Sequence, residues 1–189
     1  MSPSIDQVQP VQPTFLQVLP TPSGLTECWS LDSYTRPPGG LTRAADLFTK
    51  AKYQGLGPPL MVLRRMFADG VVSIAMFRRW PADLVVVPVG SSSSIALELA
   101  CAAAVKLDAR LLQMFPPPLG PKMKNVPLAE RTARASFRAS INPEERCAPN
   151  MLLVDDLVET GSTLTAAAAA LRAVGAERVF AMAAVSIRH

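Results

Sequence analysis

The stretch MLLVDDLVETGST, residues 151–163, decides how this 189-residue chain is read. It carries four apolar residues, Met151, Leu152, Leu153 and Val154, into two adjacent carboxylates, Asp155 and Asp156. Three residues later comes Thr160-Gly161-Ser162-Thr163, followed by an Ala-rich segment of helical character. An unbroken apolar run predicts a strand covered on both faces, with the acids at its end. Ionised carboxylates only accept hydrogen bonds, so a pair of them suits two adjacent hydroxyl donors, such as the diol of a ribose. The turn after them offers backbone N–H groups, three hydroxyls and the positive end of a helix dipole to a phosphate. Gly161 lets the backbone approach an anion closely. The alternative is a polar βα turn with a Ser/Thr cap and solvated acids. One polar residue suffices to end a strand, however, and two neighbouring carboxylates repel. A sugar phosphate is the ligand this order of groups fits.

Outward from that stretch, strand and helix alternate. Residues 84–89, LVVVPV, form a β-branched run without alternation, the pattern of a buried parallel strand. A Gly-Ser turn follows at 90–94, then a helix over 95–107 and a strand over 110–115 closed by Pro116, Pro117 and Pro118. Residues 43–53 place Ala44, Leu47, Phe48 and Ala51 on one helical face. Residues 59–80 predict one longer helix, or two broken near Gly70. The 13-residue stretch leads into a helix over 164–174 ended by Gly175, and 178–186 is a last strand. The fold class expected is α/β, a single domain over 25–189 with a central parallel sheet flanked by helices. Ligands then belong at the carboxyl ends of the strands, where residues 89–94 and 155–163 both fall. Residues 1–24, with Pro3, Pro10, Pro13, Pro20 and Pro22, predict a disordered or loosely packed tail.

Composition narrows the function classes. The only charge-free run of more than 18 residues, 7–26, is interrupted by Pro10, Pro13, Pro20 and Pro22, so no membrane-spanning helix is expected. A secretory signal is not expected either, because no basic region precedes an apolar one at the N-terminus. Cys28, Cys101 and Cys147 are odd in number and widely spaced, which argues against a disulfide framework or a zinc site and makes the cytoplasm the default. The net charge is +4. Residues 122–146 hold Lys122, Lys124, Arg131, Arg134, Arg138 and Arg146 against Glu130, Glu144 and Glu145. A basic segment beside a phosphate site fits an anionic small molecule. It also fits nucleic acid, but no nucleic-acid motif accompanies it and aromatics are only 6%. A Walker B strand would match residues 151–156 as well, yet the chain has no phosphate loop of the Gly-x-x-x-x-Gly-Lys-Ser/Thr type. His189 is the sole histidine and sits at the C-terminus, which argues against a histidine-based hydrolase triad.

The apolar strand followed by Asp-Asp-x-x-x-Thr-Gly-x-Thr resembles the 5-phosphoribosyl 1-diphosphate (PRPP) loop of type I phosphoribosyltransferases. AKYQG at 51–55, the Pro88-Val89 strand end, LAER at 128–131 with Phe137 beyond it, and LRAVGAERV at 171–179 resemble the ComF family of competence-associated proteins within that group. The resemblance covers most of residues 41–186. It implies that Asp155 and Asp156 take the ribose hydroxyls and that Thr160, Gly161, Ser162 and Thr163 take the 5′-phosphate. Val89, Gly90, Ser91 and Ser92 would line the pyrophosphate loop, although relatives carry a longer loop with several arginines. Glu159 stands where an acid can act as base toward an incoming ring nitrogen. Lys52 is either a ligand contact or a surface lysine, and Arg131 is a candidate phosphate clamp. Magnesium carried by PRPP is the implied cofactor, an unidentified nitrogen nucleophile the acceptor, pyrophosphate the leaving group and a homodimer the possible assembly. Two other classes stay open, a PRPP-binding protein without turnover and an accessory DNA-uptake factor. The zinc ribbon of many relatives has no counterpart, since Cys28 is the only cysteine in that region. The hood over the acceptor would come from residues 25–53 or 119–150.

Overall fold

The computed structural model describes residues 16–36, 38–89, 94–115 and 148–187. Its six-stranded sheet has the order β1-β2-β6-β5-β3-β4. The strands are β1 (Gln17–Val18), β2 (Glu27–Ser33), β3 (Val85–Pro88), β4 (Arg110–Leu111), β5 (Asn150–Val158) and β6 (Arg178–Ser186). All neighbours run parallel except β1, which pairs antiparallel with β2 at the edge. The helices are α1 (Arg43–Gln54), α2 (Gly57–Arg78), α3 (Ile95–Leu107) and α4 (Ser162–Ala173).

Two apolar layers sandwich the sheet. On one face Phe48 of α1, Phe67 of α2 and Leu99 of α3 pack on Leu152, Val154 and Met182. On the other, Leu164, Ala168 and Leu171 of α4 pack on Met151, Leu153 and Ala181. Strand β5 alternates between the two clusters while staying buried from Asn150 to Asp156, which is why its apolar run shows no polar alternation. The mainly parallel α/β architecture expected from the sequence is therefore the one observed.

The differences are local. Helix α2 is continuous through Gly70, because Gly70 meets the sheet face there: a Cβ would stand 3.1–3.2 Å from Leu31, Leu16 and Met182 side-chain atoms. It marks a close approach, not a break. The strand expected over 110–115 is only Arg110–Leu111. Strand β2 has no counterpart in the sequence reading, although it lies beside β6 in the sheet. Residues 16–24 are not loose. Leu16 and Leu19 are buried, and β1 and the Leu19 N–H bond to Cys28 O, at 2.9 Å, tie the segment to β2. Apolar anchors between the prolines account for that order. Among the described residues, no helix is long and apolar enough to cross a membrane.

Candidate functional site

The chain leaves β3 through α3 toward β4 on one side, and leaves β5 through α4 toward β6 on the other. Helices α3 and α4 also pack on opposite faces of the sheet. Between the adjacent strands β3 and β5 the winding thus reverses, and the crevice at their carboxyl ends is where open α/β sheets hold ligands. Val89 sits at that point. It is buried, and its N–H donates to Val154 O at 2.8 Å, one residue before the acids. Gly90, Ser91 and Ser92 follow it and lie outside the described residues.

Strand β5 does not stop at Val154 as the sequence suggests. It pairs with β6 onward to Val158, with Asp155 opposite Ala183 and Leu157 opposite Val185, so both acids lie within the strand. They are 5% and 4% exposed, not solvated. Alternation along β5 then sends them apart. Asp155 continues the row of Met151 and Leu153, on the face that holds Cys28 and α4. Asp156 turns to the α1 face, where Lys52 Nζ meets its Oδ2 at 2.7 Å. Neighbours in sequence, the carboxylates do not stand side by side in space.

Their environments differ accordingly. Burial, reinforced by the charge of Asp156, pushes the Asp155 carboxyl up to about 7. The Asp156 N–H, which donates to Asp155 Oδ1 at 2.8 Å, and the Lys52 charge oppose that rise without cancelling it. Burial and the same Asp155 charge push the Cys28 thiol up to about 12, so it stays protonated and unreactive. One acid near neutrality and one held by a cation give the tip of β5 two distinct acceptors.

Glu159 and Thr160 are exposed at the turn, Gly161 is buried, and Ser162 and Thr163 are half-buried. Helix α4 begins at Ser162, two residues earlier than the apolar periodicity indicates. Its N-cap is Gly161 at φ 75°, and no side chain caps the helix. The Ser/Thr cap of the alternative polar-turn reading is not at the N-cap position, and the helix end is suited to an anion. Thr160 and Ser162 join their hydroxyls at 2.8 Å, and the Ser162 N–H donates to Thr160 Oγ1 at 3.4 Å. Pro22 closes the back of the turn. A Cβ on Gly161 would stand 2.9 Å from its Cγ.

Lys52 is the residue the sequence undervalued. An amphipathic-helix lysine reads as surface, yet this side chain is 19% exposed and its Nζ stands 4.9 Å above the Phe48 ring. The AKYQG piece was the available signal. Tyr53 beside it is exposed and contacts the Phe48 ring edge-on, 6.3 Å between centroids. Arg131, the LAER piece and His189 lie outside the described residues. No group of three His, Cys, Asp or Glu among the described residues could hold a metal ion. A groove of about 390 Å³ lies between α2 and α3, lined by Met61, Arg64, Asp69 and Lys106, and contains neither acid nor any residue of the 160–163 turn.

A search of curated proteins gives no match. A family model does match: the phosphoribosyl transferase domain, over residues 79–189, which takes in β3, β5, the acids, the Thr160–Thr163 turn and α4. With that match over more than half of its length, on a sheet whose switch point carries both acids, the chain belongs to the phosphoribosyl transferase domain family.

Proposed function

We propose that this protein binds PRPP across the tip of β5 and transfers its phosphoribosyl group to a nitrogen acceptor, releasing pyrophosphate. The observation that carries this is the placement of Asp155 and Asp156 toward the carboxyl end of β5, with the Gly161-led start of α4 directly beyond that strand, at the switch point. A ribose lying over the strand end meets a carboxylate on either side, and its 5′-phosphate meets the Thr160, Gly161, Ser162 and Thr163 turn. Val89, just past the end of β3, directly precedes Gly90, Ser91 and Ser92, the proposed pyrophosphate contacts.

The magnesium that accompanies the diphosphate is carried by the ligand. Such an ion needs only one or two carboxylates beside phosphate oxygens, so a protein cage is not required. Bound there, it would neutralise charge on the departing pyrophosphate. In the transfer, an acceptor nitrogen forms a bond to the anomeric carbon while the bond from that carbon to pyrophosphate oxygen breaks. Pyrophosphate leaves with the bonding pair, and the nitrogen's proton passes to a base, for which exposed Glu159 is the candidate. Ionised Asp155 and Asp156 would stabilise positive charge developing on the ribose.

Calorimetry with PRPP and magnesium tests binding. The wild type should bind, and the double variant Asp155→Asn, Asp156→Asn should not, while keeping its far-UV circular dichroism. Equal affinity of the two proteins would end this proposal. Pyrophosphate release with a panel of nucleobases then separates transfer from binding alone. Tight binding with no release across the panel would assign the protein to a non-catalytic PRPP-binding role of the ComF-like kind.

A further inference from the structure

Helix α1 lies outside the matched family region, yet it sends one cation into the site. Lys52 Nζ reaches Asp156 Oδ2 at 2.7 Å across 104 residues of sequence. The pair is mostly shielded, 19% and 5% exposed. Burying two charges is costly unless both are well paired, and an apolar pair of similar shape is often as stable. An ion pair in such a place calls for a reason other than stability.

The chemistry of the proposed ligand supplies one. Two acids at the tip of β5 would repel a polyanionic sugar phosphate. An ammonium group has three donors, and Asp156 Oδ2 needs only one of them. A carboxylate has about four acceptor positions, so the same Asp156 serves a sugar hydroxyl and Lys52 together. The Phe48 ring under Nζ, at 4.9 Å, and the α1 helix fix the lysine's reach. C-terminal placement on α1 also suits a cation to the helix dipole.

Resting on the PRPP reading above, we infer that Lys52 is a specificity-determining residue of this site. It bridges Asp156 to an anionic oxygen of the ligand's diphosphate and so favours PRPP over ribose 5-phosphate. The N-terminal segment would then be part of the binding site and not merely its cover. A purely structural pair would instead stabilise the fold and leave ligand discrimination untouched.

The test is calorimetric titration of the full chain with PRPP and with ribose 5-phosphate, each with magnesium, at several ionic strengths. Lys52→Met should weaken PRPP binding roughly tenfold or more and ribose 5-phosphate binding less. It should also flatten the dependence of log Kd on log salt, while Lys52→Arg keeps affinity within about threefold and retains the slope. Lys52→Gln, which keeps an uncharged donor one bond shorter, guards against loss of fold and should behave like Lys52→Met. Melting curves without ligand report the structural part separately. Wild type binding PRPP with unchanged affinity and salt slope in Lys52→Met and Lys52→Gln would overturn the role of Lys52 and leave the PRPP site standing. A wild type that binds neither sugar phosphate would overturn both.

Discussion

Asp155 accepts the backbone N–H of its neighbour Asp156 at 2.8 Å, while its carboxyl lies on the opposite face of β5 from the Lys52–Asp156 pair. The hydrogen bond and the distant lysine favour the charged form, but burial and the second carboxylate outweigh them and push Asp155 up to about 7. A carboxyl whose folded value exceeds its ordinary 3.8 binds a proton more tightly in the native state. Its contribution to stability is complete below about 4 and is lost as pH rises through about 7. Between pH 5 and 8 the wild type should therefore lose stability. Asp155→Asn should flatten that slope and gain on the order of 2 kcal/mol over wild type at pH 8. Urea unfolding of both proteins across that range checks it, and parallel pH profiles would contradict it.

Gly161 offers a second test, aimed at the turn and not at the acids. Its φ of 75° is a left-handed conformation that a side chain disfavours, and a Cβ would press on Pro22 Cγ at 2.9 Å. Gly161→Ala should cost about 1–2 kcal/mol of stability. Because relief of that contact moves the first amides of α4, PRPP affinity should fall further than stability alone requires, by roughly tenfold. The double variant Gly161→Ala, Pro22→Ala relieves the contact but not the backbone strain, and should recover part of the stability. Thermal melts with and without PRPP separate the two effects.

Much of this was legible in the sequence, for identifiable reasons. The apolar runs of β3, β5 and β6 have no polar alternation, and only a parallel sheet covered on both faces makes sense of them. Helix α3 matched its predicted limits because its apolar face is unbroken from Ile95 to Leu107. Strand β2 was missed because Glu27, Ser30, Asp32 and Ser33 interrupt a run of seven residues, and each has a local reason to be there. Ser30 Oγ, for example, donates to Ser186 Oγ at 3.1 Å. The candidate site was legible as residue types but not as geometry. Adjacent letters for Asp155 and Asp156 suggest a paired surface, whereas continuation of β5 to Val158 sends them to opposite faces. Lys52 was hidden because a long-range ion pair leaves no periodic trace.

Gly70 reads in the sequence as a possible helix break and is instead a contact point of α2 with the sheet. Replacing it by leucine would improve helix propensity by up to about 1 kcal/mol. The added side chain, however, enters a space already filled by Leu31, Leu16 and Met182. Overpacking of that kind costs about 1–3 kcal/mol, so Gly70→Leu should be net destabilising. A midpoint in urea at or above that of the wild type would show that α2 can move outward freely.

Glu27 permits stability to be perturbed without touching the site, because it begins β2 and so lies at the opposite end of the parallel sheet from the strand tips. Its carboxylate receives Trp29 Nε1 at 3.1 Å, Trp80 Nε1 at 3.2 Å, and Arg78 Nη2 at 2.8 Å. Burial alone would raise this carboxyl, but the hydrogen bonds from Arg78 and both indoles win and hold it below its usual range. A depressed carboxyl contributes stability above its ordinary value near 4.5, and that contribution disappears as pH falls through the lower folded value. Glu27→Gln keeps one acceptor for two indole donors and removes the charge, which should cost about 1–3 kcal/mol at pH 7. The difference from wild type should shrink toward pH 3. PRPP affinity, measured at a temperature where the variant's melting curve shows it folded, should stay within about twofold of wild type. A large loss of affinity from this remote change would mean that the strand tips are coupled to the far end of the sheet, and that the acids and the α4 turn do not act as a self-contained site.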